Sequence, residues 1–204
     1  MSVIERRSAL VEAAYRVIAD HGVEGATTRR ICAFADMPLA SFHYAFESRT
    51  ALLRAVMDTA VPSDINAMLE TVSAEPGPGG RAGIALMEAT MRTQLDAFSA
   101  LLTADPGRLQ ATVALGIYAH NHPELRQHGK RMYENLYAVG ASGLRAAAQR
   151  AGVSWAIPVG EIAPVMIGAL LAITLVYLST ADDTVVRSLT EALITQTMSH
   201  VVVD

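Results

Sequence analysis

The feature that most constrains this 204-residue chain is a helical period that recurs from one end to the other. Near the start, apolar residues recur at intervals of three and four. They are Leu10, Ala13, Ala14, Val17 and Ile18. This spacing places them on one face of an amphipathic helix. No run with a period of two is long enough to predict a sheet. The sequence therefore predicts an all-α protein of about nine helices.

Glycine and proline divide the chain into helical segments. Gly22 is predicted to end the first helix, and Pro38 predicts a turn at Met37. The clearest break is Glu75–Gly80, where three glycines and two prolines in six residues hold neither helix nor strand. Before it, a helix capped by Ser48 is predicted to run to about residue 73, with a kink at Pro62. After it, helices are predicted at 81–103, 107–121, 123–151, 158–181 and 184–202.

Composition excludes several classes of protein. Hydrophobic residues make up 51% of the chain and charged residues 18%, which excludes global disorder. A single cysteine, Cys32, excludes an intrachain disulfide and fits the reducing cytoplasm. Acids at Glu5 and Glu12 argue against a signal peptide. Charge is split, with +1 over residues 1–55 and −5 over 56–204, so only the first part favours an anionic partner.

One stretch of 20 residues, from Ile162 to Ala181, carries no charge and is long enough to span a bilayer. Acids flank it, at Glu161 and at Asp182 and Asp183, so no basic residues set a topology. A helix that is apolar all round also occurs at the centre of a bundle or in an oligomer interface. We favour this second interpretation, and a membrane span stays open as the alternative.

The N-terminal segment predicts a helix-turn-helix, since three short helices follow one another and a tight turn joins the last two. Five apolar side chains can form its core. They are Ile31, Ala35, Met37, Phe42 and Phe46. This leaves Ala40, Ser41, His43 and Tyr44 projecting outward, where small and hydrogen-bonding side chains reach base edges in a major groove. An ordinary pair of surface helices is the alternative for this pattern alone.

Residues 4–57 resemble the DNA-binding domain of the TetR family of transcriptional regulators. The family pattern is a first helix ending in Gly, then Thr-x-x-x-Ile-Ala-x-x-Ala-Gly-Val, then a recognition helix ending in aromatic-x-His-Phe, then Ser-Lys and Leu. Here the chain reads His21-Gly22, Thr27 to Met37, Pro38 to Arg49 and Leu52-Leu53, without a gap in spacing. The length and the apolar second half are also similar to those of the family.

The chain departs from the family pattern at five positions. Cys32 stands for Ala, Asp36 for Gly, His43 for Tyr, Ala45 for His and Arg49 for Lys. Asp tolerates left-handed backbone better than most residues, so the turn is expected to survive. Two side chains that touch phosphate in the family are altered or missing, which makes the operator unreadable from this sequence.

Physical chemistry and the resemblance together give a set of predicted DNA contacts. Thr27 is placed to cap a helix whose free N–H groups bind phosphate. Arg49 lies in the first turn of a helix, where a cation opposes the macrodipole and a phosphate would compensate; a surface pair with Glu47 or Glu5 is the alternative. The predicted DNA-binding residues are Thr27, Thr28, Arg29, Ala40, Ser41, His43, Tyr44 and Arg49. Arg6, Arg7 and Arg30 are predicted either to contact the DNA backbone as well or to be plain solvated charges.

The second half carries many methionines and aromatic residues but few charges. Such side chains form adaptable apolar walls, although plain core packing explains each of them taken alone. The predicted ligand-binding residues are Met87, Met91, Phe98, Tyr118, Tyr133 and Tyr137. His120 and His122 do not share a helix face, and no Cys or Glu-x-x-His partner completes a metal site, so solvated imidazoles at a helix end are expected. No metal and no cofactor are predicted.

The resemblance implies a helix-turn-helix DNA-binding domain at 1–48 and a ligand-binding and dimerisation domain at 49–204, joined by the helix 49–73. It implies a cytoplasmic homodimer formed through 158–181 and 184–202, a palindromic operator in double-stranded DNA, and release by a small apolar inducer. No catalytic motif appears, so we predict no enzyme. The alternatives are a small membrane protein spanning 162–181, and a helical enzyme or carrier with a vestigial helix-turn-helix.

Overall fold

A computed structural model describes residues 2–59 and 80–203, and within them the chain forms nine α-helices and one short β ladder, which confirms the all-α class. The first four helices are α1 (Val3–Gly25), α2 (Thr28–Phe34), α3 (Leu39–Ala45) and α4 (Arg49–Thr59). The other five are α5 (Gly80–Ala104), α6 (Pro106–Asn121), α7 (Arg126–Ala151), α8 (Val159–Thr180) and α9 (Asp183–Met198). The strands are β1 (Ser154–Trp155) and β2 (Val201–Val202).

Helix α1 begins with a capping box and contains a kink. The Ser2 hydroxyl accepts from the Glu5 N–H, and the Glu5 carboxylate accepts from the Ser2 N–H at 2.7 Å. Gly22 interrupts the helix at φ 70° and ψ 170°, a conformation that essentially only glycine adopts. The helical backbone therefore breaks at Gly22, as predicted, and a further helical turn follows the break as far as Gly25.

The described residues divide into two compact units, and the first comprises 2–59 and 105–133. Its core joins the buried faces of α1 to α4 with α6 and the start of α7; Leu10, Ile18, Phe42, Leu115 and Met132 are nearly inaccessible. Polar contacts also join α1 to α6. Tyr15 donates its hydroxyl to the Arg108 carbonyl, and Arg16 pairs with Asp105, which raises the pKa of the Arg16 guanidinium.

The second unit comprises 80–104 and 134–203. Its core brings Met87 and Met91 against Leu144, Ala147 and Ile162. The two strands pair antiparallel, with Ser154 opposite Val202 and Trp155 opposite Val201. The last helix therefore ends at Met198 and not at the predicted residue 202, because the β-branched residues after it pair with β1.

Two sequence predictions fall partly outside the described residues. Helix α4 is described to Thr59, so its predicted course to residue 73 and the kink at Pro62 lie beyond them. The predicted break at 75–80 is described only at Gly80, where α5 begins. The two units are defined by which residues pack together. The predicted functional division, with a DNA-binding domain that ends at residue 48, stays a prediction.

Helix α8 is the one described helix that is long and apolar enough to cross a membrane by length and composition alone. Only 28% of its most apolar window is buried within this chain. Val165, Gly168, Ala172 and Leu175 are all exposed and lie three or four residues apart. They therefore form one apolar stripe along the helix, which we call the α8 stripe.

Candidate nucleic-acid interface

Helices α2 and α3 form the predicted helix-turn-helix. Thr27 is the N-cap of α2, and its hydroxyl accepts from the Arg30 N–H at 3.3 Å, as the sequence predicted. In the turn, Asp36 adopts φ 50°, which confirms that aspartate tolerates the left-handed backbone here. Of the predicted core, Ile31, Phe42 and Phe46 are buried, and Ala35 and Met37 pack against them half-buried.

Helix α3 turns one side to the core and the other to solvent. Phe42 is 1% exposed and anchors the helix, with its ring 5.9 Å from the ring of Phe46. Of the side chains predicted to project outward, Ala40, His43 and Tyr44 are exposed and Ser41 is half-buried. The predicted outward face is therefore available to a partner.

Arg7 holds the end of α3. Its guanidinium donates to the Ala45 carbonyl at 2.9 Å and lies 4.2 Å from the centroid of the Phe46 ring. A cation at a helix C-terminus complements the macrodipole, and the ring adds a cation–π contact. The alternative of a plain solvated charge at Arg7 is therefore wrong, and a contact with the DNA backbone stays a prediction. No local pattern joins Arg7 to Ala45, because they are 38 residues apart.

Arg49, at the first position of α4, has three partners within the first unit. Its Nε donates to the Ala26 carbonyl at 2.8 Å, a terminal nitrogen donates to the Val23 carbonyl, and the other donates to the Tyr118 hydroxyl at 3.2 Å. Among the described residues Arg49 pairs with neither Glu47 nor Glu5, so the alternative of a surface ion pair is wrong. Both carbonyls lie at the end of α1; that of Val23 also accepts from the Ala26 N–H, and Arg49 adds a charged donor to each of them.

These bonds occupy three of the five N–H donors of the Arg49 guanidinium, and each terminal nitrogen keeps one. The predicted phosphate contact of Arg49 is compatible with this arrangement and stays a prediction. No local sequence pattern indicates this structural role, because the partners of Arg49 lie 23, 26 and 69 residues away in the chain.

The remaining predicted DNA contacts lie at the start of α2. Thr27 and Arg29 are exposed, and Thr28 is half-buried. Arg30 donates to the Gly25 carbonyl at 2.7 Å, so it closes the end of α1. Within residues 2–59 and 80–203, Arg29 has no hydrogen-bond or ion-pair partner, which leaves its guanidinium free for an anion.

The predicted ligand-binding residues fall in both units. Met87, Met91 and Phe98 are buried in the second unit, and Tyr137 is half-buried there. Tyr118 and Tyr133 are half-buried in the first unit and pack against its core. Their burial is what core packing alone requires, so the ligand role stays a prediction.

Tyr118 has a partner that the sequence did not indicate. Its ring stacks on His122 at 3.7 Å between centroids, and His122 Nδ1 lies 2.8 Å from the Tyr118 carbonyl oxygen. His120 is exposed as expected, whereas the expectation of a solvated imidazole at His122 is wrong, because stacking half-buries it. Among the described residues, no three His, Cys, Asp or Glu side chains cluster as metal ligands.

Comparison with known proteins gives concordant matches. Residues 10–56 match the profile described as bacterial regulatory proteins, tetR family. Over 150 residues the chain is 27% identical to the HTH-type nicotine-responsive transcriptional repressor HdnoR of Paenarthrobacter nicotinovorans, which covers 74% of this chain and 73% of that protein.

Solved structures show the same fold. A transcriptional regulator from Rhodococcus sp. Rha1 superimposes with a TM-score of 0.67 at 16% identity, over 96% of this chain and 97% of that one. The multidrug binding protein EbrR, complexed with imidazole, gives 0.59 at 23% identity, over 92% of each chain.

Proposed function

Because the chain belongs to the TetR family of transcriptional regulators, we propose that it is a cytoplasmic repressor that binds a palindromic operator as a homodimer. A small, largely apolar inducer releases it from the DNA. The observation that carries the DNA-binding part of this proposal is the exposed face of α3, held in place by a buried Phe42 and by Arg7 at its end.

Cations and a helix end around α3 support the contact with DNA. Arg29 is exposed and free of described partners, Arg49 keeps two N–H donors, and Thr27 caps the N-terminus of α2. Arginine forks and helix N-termini are the groups that position a protein on the phosphate backbone. Ser41, His43 and Tyr44 on α3 supply hydrogen-bonding groups for bases or backbone.

The homodimer is supported by the α8 stripe and by the symmetry of an operator. One recognition helix reads only a few base pairs, and two of them related by a dyad read a palindrome. The α8 stripe is exposed and apolar in one copy, and the small residues Gly168 and Ala172 allow close approach of a second helix.

The ligand part of the proposal is supported by relatives and by charge. HdnoR is described as nicotine-responsive and EbrR as a multidrug binding protein. The second half of this chain is acidic and contains Met87, Met91 and Phe98, which disfavours a strongly anionic inducer. We propose that inducer binding tilts α4 and so changes the spacing of the two recognition helices. Arg49 ties the first turn of α4 to the end of α1, which would transmit such a tilt.

Selection of bound duplexes from random DNA tests the DNA-binding part. We expect one enriched palindrome whose affinity falls steeply as salt rises, because each neutralised phosphate contributes a slope of about −0.9 in log K against log salt. Enrichment of no sequence, or of a site without dyad symmetry, would contradict the proposal.

A thermal-shift screen of small molecules against the same protein tests the inducer part. A ligand at a hundredfold excess over its Kd stabilises the folded state by about 2.7 kcal/mol. Linkage requires the same ligand to lower operator affinity. Ligands that raise Tm and leave DNA affinity unchanged would remove the inducer mechanism and leave the DNA-binding part intact.

A further inference from the structure

The first positions of α3 carry no side chain that can form a hydrogen bond. Pro38 is the N-cap of α3 and makes no side-chain capping bond, and Leu39 and Ala40 follow it. Leu39 is 39% exposed and Ala40 is also exposed, in contrast to the buried Phe42. Leu39 belongs neither to the buried core of the first unit nor to the side chains packed against that core. Core packing therefore does not explain why a leucine stands at this position.

These positions are the ones that meet base edges when a helix-turn-helix docks, because the N-terminal residues of the recognition helix enter the major groove. Apolar side chains can read a base there only by contact with an apolar group. The major groove presents one such group, the C5-methyl of thymine. Hydrogen-bonding readout is left to Ser41 and His43, which come later in the helix.

We propose that Leu39, with Ala40 beside it, is a specificity-determining residue that recognises thymine methyl groups in each half-site. This inference rests on the proposed function and adds to it the chemistry that the operator must present. It requires at least one thymine in each half-site whose methyl group, and not its hydrogen-bonding edge, contributes to affinity.

Uracil substitution isolates that methyl group, since deoxyuridine pairs as thymidine does and lacks only the C5-methyl. Duplexes of the selected palindrome are made with each thymine replaced in turn, and their Kd is measured for the unmodified protein. Burying one methyl group corresponds to about a fourfold change in Kd. We expect that loss at one or two thymines per half-site and no change at the others.

Leu39→Ala provides the second arm. It should bind the thymine duplex about fourfold more weakly and lose its sensitivity to uracil at the same positions. Ser41→Ala is the matched control on the same helix and should keep the uracil sensitivity. Urea unfolding of each variant shows that the fold is retained.

The outcomes separate this inference from the proposed function. If no sequence is enriched, the proposed function and this inference both fail. If a palindrome is enriched but contains no thymine sensitive to uracil, the methyl readout is overturned and the DNA-binding function stands. A Leu39→Ala protein that keeps full uracil sensitivity assigns the methyl contact to another residue and also overturns the inference. The uracil scan uses the unmodified protein, so it can overturn the methyl readout even if a variant does not fold.

Discussion

Arg49 has a structural role that its hydrogen bonds show, and a phosphate contact that stays a prediction. Three of its five N–H donors bind two carbonyls and a hydroxyl within the protein, and two donors have no partner among the described residues. A family pattern predicts a phosphate contact at this position, whereas the structure shows a bond network that closes the end of α1. The two roles have different signatures in experiment, since only the phosphate contact changes salt dependence.

Arg49→Ala should therefore change two measurements at once. The Ala26 and Val23 carbonyls both lose the charged Arg49 donor, although Val23 keeps the Ala26 N–H, and we expect a loss of about 1–3 kcal/mol in the free energy of urea unfolding. DNA affinity should fall about equally for all sequences, with the salt slope smaller by about one unit. Arg92→Ala, which removes a surface ion pair with Glu191, is the control and should leave the slope unchanged. A slope unchanged in Arg49→Ala would leave only the structural role.

Cys32 illustrates a residue whose environment makes it inert. It is 2% exposed, and burial raises the pKa of its thiol, so the thiolate needed for alkylation is scarce at neutral pH. We expect iodoacetamide to modify the native protein slowly at pH 7, with the rate rising only at a pH above the usual thiol range. The same thiol should react quickly in urea. Rapid labelling of the native protein at pH 7 would show that the site opens.

At the scale of elements, helix α3 depends on a contact from outside itself. Seven residues are too few for a helix that is stable alone, so its geometry is set by Phe42 in the core and by Arg7 at its C-terminus. The recognition surface is thus positioned by a residue of α1 that does not itself belong to that surface.

Arg7→Ala should lower the free energy of urea unfolding by about 1–2 kcal/mol, because a charge-assisted hydrogen bond and a cation–π contact are lost. Arg29→Ala is a matched arginine control, exposed and without described partners, and should change stability by less than about 0.5 kcal/mol. The slope of log K for DNA binding against log salt should become shallower for Arg29→Ala and stay unchanged for Arg7→Ala. Equal stability of the two variants would show that Arg7 does not hold α3.

The sequence predicted elements better than the contacts between them. Most predicted helix bounds lie within a few residues of the observed ones. The signals behind them act locally: the period of the apolar residues, the caps at Thr27 and Ser48, and the positions of the prolines. The early end of α9 was missed because Val201 and Val202 pair with a strand distant in sequence. The outward face of α3 was predicted from its core residues, whereas the partners of Arg7 and Arg49 depend on tertiary packing that no local period encodes.

At the scale of the whole molecule, the α8 stripe decides the assembly we expect. Ala172→Glu places a charge on the stripe, and desolvating it in a helix–helix interface is costly, so the variant should be monomeric or should aggregate. Ala97→Glu, an exposed alanine of α5, is the control and should stay dimeric. Analytical ultracentrifugation at micromolar concentration measures both. A stable monomer for the unmodified protein would contradict the dimer.

The first unit is assembled from two separate stretches of the chain, since α6 packs on α1 although residues 60–104 lie between the stretches. A fragment or chimera that keeps only the residues up to 59 would lose Leu115 and its neighbours, which pack against the buried face of α1. Exchange of DNA specificity between relatives must therefore carry residues 105–133 along with the amino-terminal segment. The segment that a chimera must exchange is therefore discontinuous in the gene, although the helix-turn-helix of α2 and α3 is encoded in one short piece.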